Sequence, residues 1–85
     1  MASYELLIKR SARKELEALP SKDRARIVTR IHTLAHNPRP SKCEKLSGQE
    51  RYRIRQGDYR VLYEVDDGQL MVTIVKIGHR GDVYR

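Results

Sequence analysis

A chain of 85 residues and 10.0 kDa has room for one small domain, read as 1–85, and excludes a two-domain arrangement. Eighteen Lys+Arg against eleven Asp+Glu leave a net charge of +7, which points to a polyanionic partner, and a balance of twelve Arg to six Lys favours bidentate contact with phosphate or carboxylate. The sole cysteine, Cys43, excludes an internal disulfide and a thiolate zinc cage, which fits a reducing, cytoplasmic setting, and no apolar run is long enough for a membrane span.

Residues 3–8, Ser-Tyr-Glu-Leu-Leu-Ile, form a strand-compatible run, read as one edge or flanking strand. Ser11 offers an N-cap hydroxyl, and Ala12, Leu16 and Leu19 then recur at helical spacing until Pro20 ends the pattern. Ser21 is the expected cap of a second helix, with the stripe Ala25, Val28, Ile31, Leu34 and Ala35, stopped by Asn37-Pro38. The connection Leu19-Pro20-Ser21 is so short that the two helices must form a hairpin. Residues 37–50 hold Pro38, Pro40, Ser41, Ser47 and Gly48, follow neither period, and read as a loop. Arg51–Arg55 alternates with period two, Tyr59–Val65 is rich in Val and Tyr, and Leu70–Ile77 is nearly continuously apolar. These are three strands, joined at Gln56-Gly57-Asp58 and Asp66-Asp67-Gly68. Short turns make them antiparallel neighbours, and the continuous run of Leu70–Ile77 predicts a central strand covered on both sides. The order β-α-α-β-β-β predicts an α+β fold, with the helical hairpin on one face of a small, mainly antiparallel four-stranded sheet. The other face stays partly open, and a partner can bind there.

Two groups of residues carry candidate chemistry. Strand alternation puts Arg51, Arg53 and Arg55 on one face and Tyr52 and Ile54 on the other, so three guanidinium groups stand in a row at about 7 Å spacing, near the phosphate repeat of an extended single strand. Arg60, just across the turn, is placed to join them. A basic edge strand that only resists aggregation is the alternative reading of the same row. The chain end, Gly78-His79-Arg80-Gly81-Asp82-Val83-Tyr84-Arg85, holds a His, two Arg and a Tyr, the side-chain types that RNA scission by internal transfer uses. Each of them also has a plain role, as tail anchor, surface ion pair or loop residue. Lys42 and Lys45 extend the basic surface, Asp66-Asp67-Gly68 reads as a turn, and His32 with His36 lacks a third ligand, so no metal is assigned.

The segments Lys45-Leu46-Ser47-Gly48, Tyr52-Arg53-Ile54-Arg55-Gln56-Gly57-Asp58-Tyr59-Arg60-Val61-Leu62-Tyr63 and Ile77-Gly78-His79-Arg80-Gly81-Asp82-Val83-Tyr84, taken in order, resemble the RelE family of toxins from type II toxin–antitoxin systems. The resemblance implies a toxin that enters the ribosomal A site and cleaves mRNA by attack of a 2′-hydroxyl, with no cofactor. Its implied partners are a cognate antitoxin, the ribosome and mRNA, with operator DNA reached only through the antitoxin complex and no membrane. By the same resemblance Arg60 and Arg80 match arginines that stabilise transition-state charge, and Tyr84 matches a tyrosine that acts as base or orients the 2′-hydroxyl. Arg53 and Arg55 stand where some members have lysine, and an arginine is a poor proton donor, which leaves His79 as the candidate acid. Some relatives continue into a C-terminal helix that the antitoxin displaces. This chain stops at Arg85, so the antitoxin is expected to cover the basic face or wrap the helices.

The competing readings are a ParE-like toxin acting on DNA gyrase and a non-catalytic nucleic-acid-binding module. The charges divide accordingly. Arg24, Arg26 and Arg30 on the second helix, with Arg51, Lys42 and Lys45, are candidates for broad RNA and ribosome contact, and Arg53, Arg55, Arg60 and Arg80 for one phosphate.

Overall fold

The computed structural model describes residues 3–46 and 50–79. Strand β1 (Glu5–Ile8) leads into helix α1 (Arg10–Glu17) and helix α2 (Ser21–Thr33), and β2 (Glu44–Lys45), β3 (Arg51–Gln56), β4 (Tyr59–Asp66) and β5 (Met71–His79) follow. The α+β class and the helical hairpin match expectation. The sheet has five strands, not four, in the order β1-β5-β4-β3-β2. It is mixed, because β1 runs parallel to β5 while the other pairs are antiparallel. The missed strand, β2, is two residues long, too short for a periodic pattern, and lies inside the segment read as loop.

Neither helix start is set by a side-chain cap, and at α1 strand pairing fixes it. The Lys9 N–H donates to the Ile74 carbonyl at the end of the β1–β5 ladder, while the Lys9 carbonyl accepts from Arg13 N–H. Lys9 is therefore the N-cap of α1, and Ser11 sits inside the first turn. In α2 the extended Pro20 takes the cap position, its carbonyl accepting from Arg24 N–H, and Ser21 is the first helical residue. The core stripe of α2 is Ile27, Ile31 and Leu34, with Val28 beside it. Ala25, expected in that stripe, is exposed.

The core lies between the helices and one face of the sheet, built from Ala12, Leu16, Ile27, Ile31, Leu34, Ile54, Val61, Val65, Val72, Ile74 and Ile77, with stacked Tyr52 and Tyr63. It is aliphatic and tyrosine-assisted, as a chain without Phe or Trp requires. Strand β5 is covered on one face, not both. Its partner changes from Lys76 to Ile74 between Leu62 and Tyr63, a bulge that leaves Val75 over and turns both Ile74 and Ile77 toward the helices. The apolar run therefore reflects a register break and not two-sided burial.

The β3–β4 connection is a two-residue turn in which Gly57 adopts φ 61°, the left-handed conformation that primed hairpin turns need. The β4–β5 connection is longer than Asp-Gly alone, because Asp66 pairs with Met71 and residues 67–70 form the loop. Its Asp66 carboxylate accepts from Gln69 N–H, and Leu70 carries φ 52°.

Candidate active site

Residues directly opposite in a sheet share a face, so the register assembles the site. Arg55 pairs with Arg60, Arg53 with Leu62 and Arg51 with Glu64 across β3–β4, and Glu44 of β2 pairs with Arg53. All these side chains lie on the face away from the helices, because their neighbours Tyr52, Ile54, Val61 and Tyr63 fill the core. The expected row of Arg51, Arg53 and Arg55 thus forms, and Arg60 joins it.

The row is not uniform. Arg53 and Arg60 are only 7% and 8% exposed, whereas the Arg55 side chain is 60% exposed. A buried guanidinium needs a partner to offset lost hydration, and Glu44 supplies one at 2.9 Å from Arg53 Nη2, with its other oxygen 3.9 Å from Arg55 Nε. In return the Arg53 hydrogen bond holds the Glu44 carboxyl below its ordinary pKa. The charge on Arg53 adds to this, desolvation opposes it, and Arg55 and Arg60 contribute smaller attractions. The cluster is therefore three arginines with one ionised carboxylate set among them. Sequence reading missed Glu44, since no motif joins it to β3 and only its pairing with Arg53 brings it there.

Arg51 belongs to the opposite, acidic end of the face. It bonds Glu64 at 2.6 Å beside a cleft of about 550 Å³ that Glu50, Asp66 and Asp67 also line. Lys45 is 3.5 Å from Glu50, so two of the basic residues expected to contact RNA are engaged by carboxylates. Lys42 is exposed, and Arg24 donates to the Glu17 carbonyl at 3.3 Å, closing the helical hairpin. Arg26 and Arg30 line a second cleft of about 440 Å³ with Thr29, Thr33 and Gln56, between α2 and the end of β3.

His79 does not join the arginines. It is the register partner of Tyr59, and the two rings meet edge to face with centroids 5.6 Å apart. Tyr59 packs against the core and donates to Asp23 of α2 at 3.2 Å, so this pair lies on the helix side of the sheet. Gly78 and His79 are also part of β5, not of a loop after it. Arg80 and Tyr84 lie outside the described residues.

A separate polar network ties the far end of the fold together. Arg39 bonds Asp67 through both nitrogens (3.1 and 2.8 Å) and donates to the Tyr52 hydroxyl at 2.8 Å, while Tyr4 donates to Asp67 at 2.7 Å. The Arg39 bond, then that of Tyr4, holds the Asp67 carboxyl below its usual range. Its members come from the start of the chain, the segment before β2, β3 and the β4–β5 loop. Among the described residues no group of three or more His, Cys, Asp or Glu could hold a metal ion. His32 is exposed in the last turn of α2, and His36 falls beyond the helix.

The arrangement can seat a phosphate and stabilise negative charge that builds on it, with a carboxylate alongside. The family described as "ParE toxin of type II toxin-antitoxin system, parDE" matches residues 6–84. Toxin RelE of Mycobacterium tuberculosis is 36% identical over 84 residues, covering 96% of this chain and 87% of the relative. Toxin RelG of the same organism is 33% identical over 87 residues, covering 96% and 97%. The toxin–antitoxin complex RelBE2 of M. tuberculosis contains a chain that superposes with a TM-score of 0.81 at 28% identity, covering 92% of this chain and 99% of that one.

Proposed function

Since the chain belongs to the ParE toxin family of type II toxin–antitoxin systems, as a toxin of the RelE type, we propose that it is a ribosome-dependent endoribonuclease that cleaves mRNA in the A site and stops translation. The observation that carries this reading is the cluster of Arg53, Arg55 and Arg60 on one sheet face, two of them nearly buried. A protein that only docks on another protein has little need to desolvate two guanidinium groups, whereas a buried cation interacts with a phosphorane far more strongly than an exposed one.

The 2′-hydroxyl oxygen attacks the adjacent phosphorus, the bond to the 5′-oxygen breaks, and the products are a 2′,3′-cyclic phosphate and a 5′-hydroxyl. Arg60 and Arg53 neutralise the charge that grows on the non-bridging oxygens, and the exposed Arg55 draws in the RNA backbone. Arg80 and Tyr84 enter through the family resemblance, as a further charge stabiliser and as the group that orients the 2′-hydroxyl. The attack is internal and the arginines supply the charge, so this route calls for no metal or cofactor. Only Arg55 of the three stands out into solvent on the flat of the sheet, and the ribosome is the second wall that holds the mRNA against the cluster.

The antitoxin is read as an acidic, partly apolar segment that folds over the arginines, since related toxins are found in complex with RelB antitoxins. Operator DNA is reached only through that complex.

The family description also names ParE, which makes gyrase the second reading. Purified protein added to a translating extract, with mRNA ends mapped by primer extension and gyrase supercoiling run in parallel, separates the two. Cuts in the A-site codon are expected, with supercoiling unaffected. Gyrase inhibition without cuts would overturn the proposal.

A further inference from the structure

Arg26 and Arg30 stand one turn apart on α2 and line, with Thr29, Thr33 and Gln56, the cleft of about 440 Å³ at the end of β3. Like charges at that spacing repel, and neither arginine forms an ion pair among the described residues, whereas all three arginines of β3 have a carboxylate partner. The Arg30 Nε is buried without a hydrogen-bond partner, which leaves that guanidinium its outer nitrogens for a ligand. Thr29 and Thr33 give their hydroxyl hydrogens to the Ala25 and Arg30 carbonyls, at 3.0 and 2.6 Å, so their oxygens keep only lone pairs. The cleft thus offers cationic donors to an anion and acceptors to a hydroxyl, and the Gln56 amide can serve either. Acidic side chains of a protein supply acceptors alone and would leave the threonine oxygens unmatched. A ribose phosphate supplies both an anion and a hydroxyl donor.

The cleft also adjoins the arginine cluster. Gln56 follows Arg55, and strand alternation turns the two to opposite faces of the sheet. Strand β2 pairs with β3 only at Tyr52 and Arg53, so among the described residues no strand covers the β3 edge from Ile54 to Gln56. An RNA strand held at Arg55 can pass over that edge onto α2.

We propose that this cleft is a second backbone site for the RNA strand being cut. Arg26 and Arg30 hold one phosphodiester a few nucleotides from the scissile one, and the threonine oxygens accept from a 2′-hydroxyl beside it. This inference rests on the nuclease reading above. The site binds and aligns the strand and takes no part in bond breaking.

The test compares wild type, Arg26→Gln/Arg30→Gln and Lys22→Gln, a same-helix charge control at an exposed position. Single-turnover cleavage is measured against protein concentration on programmed ribosomes. Binding is measured on ribosomes whose mRNA either ends at the P site or runs through the A site, with a 2′-O-methyl group at the scissile nucleotide. The double variant is expected to raise the half-saturating concentration about tenfold with the saturating rate unchanged. Its binding loss should appear only when mRNA fills the A site, and the salt dependence of that binding should flatten by about 0.7 in log–log slope, the value for one phosphate on a single strand. Lys22→Gln should match wild type. Equal loss on both kinds of ribosome would overturn the proposal, since the arginines would then contact ribosomal RNA. A lower saturating rate with unchanged half-saturation, or a double variant equal to wild type, would overturn it too. Isolated protein titrated with a short single-stranded RNA and its DNA counterpart keeps the two readings apart. Wild type that cuts nothing would overturn the nuclease reading, while RNA binding that exceeds DNA binding and is lost in the double variant would still support the cleft as a ribose-phosphate site.

Discussion

Tyr59 and His79 face each other across β4 and β5 with their rings edge to face, and that contact holds the imidazole on the helix side of the sheet while Arg53, Arg55 and Arg60 occupy the other. A residue in the middle of the motif that resembles the RelE family is thereby turned away from the arginines. Desolvation, then Asp23, pushes the Tyr59 phenol above its ordinary pKa, which keeps it a hydrogen-bond donor to that carboxylate. His79→Gln is expected to leave the pH profile of mRNA cleavage unchanged and to cost about 0.5–1.5 kcal/mol of stability through the lost ring pair. Stopped-flow cleavage across pH and urea unfolding check the two halves. A displaced profile would return His79 to the chemistry.

Arg60 is one of the two buried members of the cluster, on the same face as Arg55, its register partner. Arg60→Gln is expected to reduce the cleavage rate on programmed ribosomes by about 10²–10³-fold, the range seen when one buried donor to developing charge is removed. Affinity for the ribosome should change far less, because one contact among many is lost. A variant with full rate and weakened binding would move Arg60 from charge stabilisation to docking.

Acid should loosen the far end of the fold. Asp67 has a folded pKa below its unfolded value, chiefly through Arg39 and then Tyr4, so its contribution is fully present above the unfolded pKa and is lost as pH falls through the folded one. Glu50 and Glu44, lowered by Tyr52 and Arg53 respectively, shift stability in the same direction. Urea midpoints measured from neutral pH downward should fall for wild type, and Asp67→Asn should flatten part of that fall while lowering the neutral-pH value. Parallel curves for the two proteins would contradict the assignment.

Leu70 carries φ 52° just before β5, a left-handed conformation that costs an ordinary side chain roughly 1–2 kcal/mol. Its side chain is 40% exposed, so little packing is lost on replacement, while its carbonyl still accepts from Glu5 N–H at 2.8 Å. Leu70→Asn, which tolerates this conformation, is expected to raise stability by about 0.5–1 kcal/mol in urea unfolding without changing the slope. A fall of that size would show that Leu70 is held there by packing.

What could be read from the sequence alone was local. Helical spacing of Leu16, Ile31 and Leu34, the Pro20 break, the Gly57 turn and the alternation of Arg51, Arg53 and Arg55 depend on residues close along the chain, so each was legible and each is present in the fold. The composition likewise required an aliphatic core and a basic surface. What the tertiary structure decided was non-local. The parallel docking of β1 on β5, the two-residue β2 and the bulge that turns Ile74 and Ile77 to one side all follow from which backbones pair, and no residue pattern encodes that choice. The site follows the same division. Alternation gathers the arginines, but pairing alone puts Glu44 against Arg53, spends Arg51 on Glu64, and turns His79 toward Tyr59. A strand's side chains keep their period wherever it lies, whereas their neighbours are set by register, and register is fixed only when the whole sheet closes on its core.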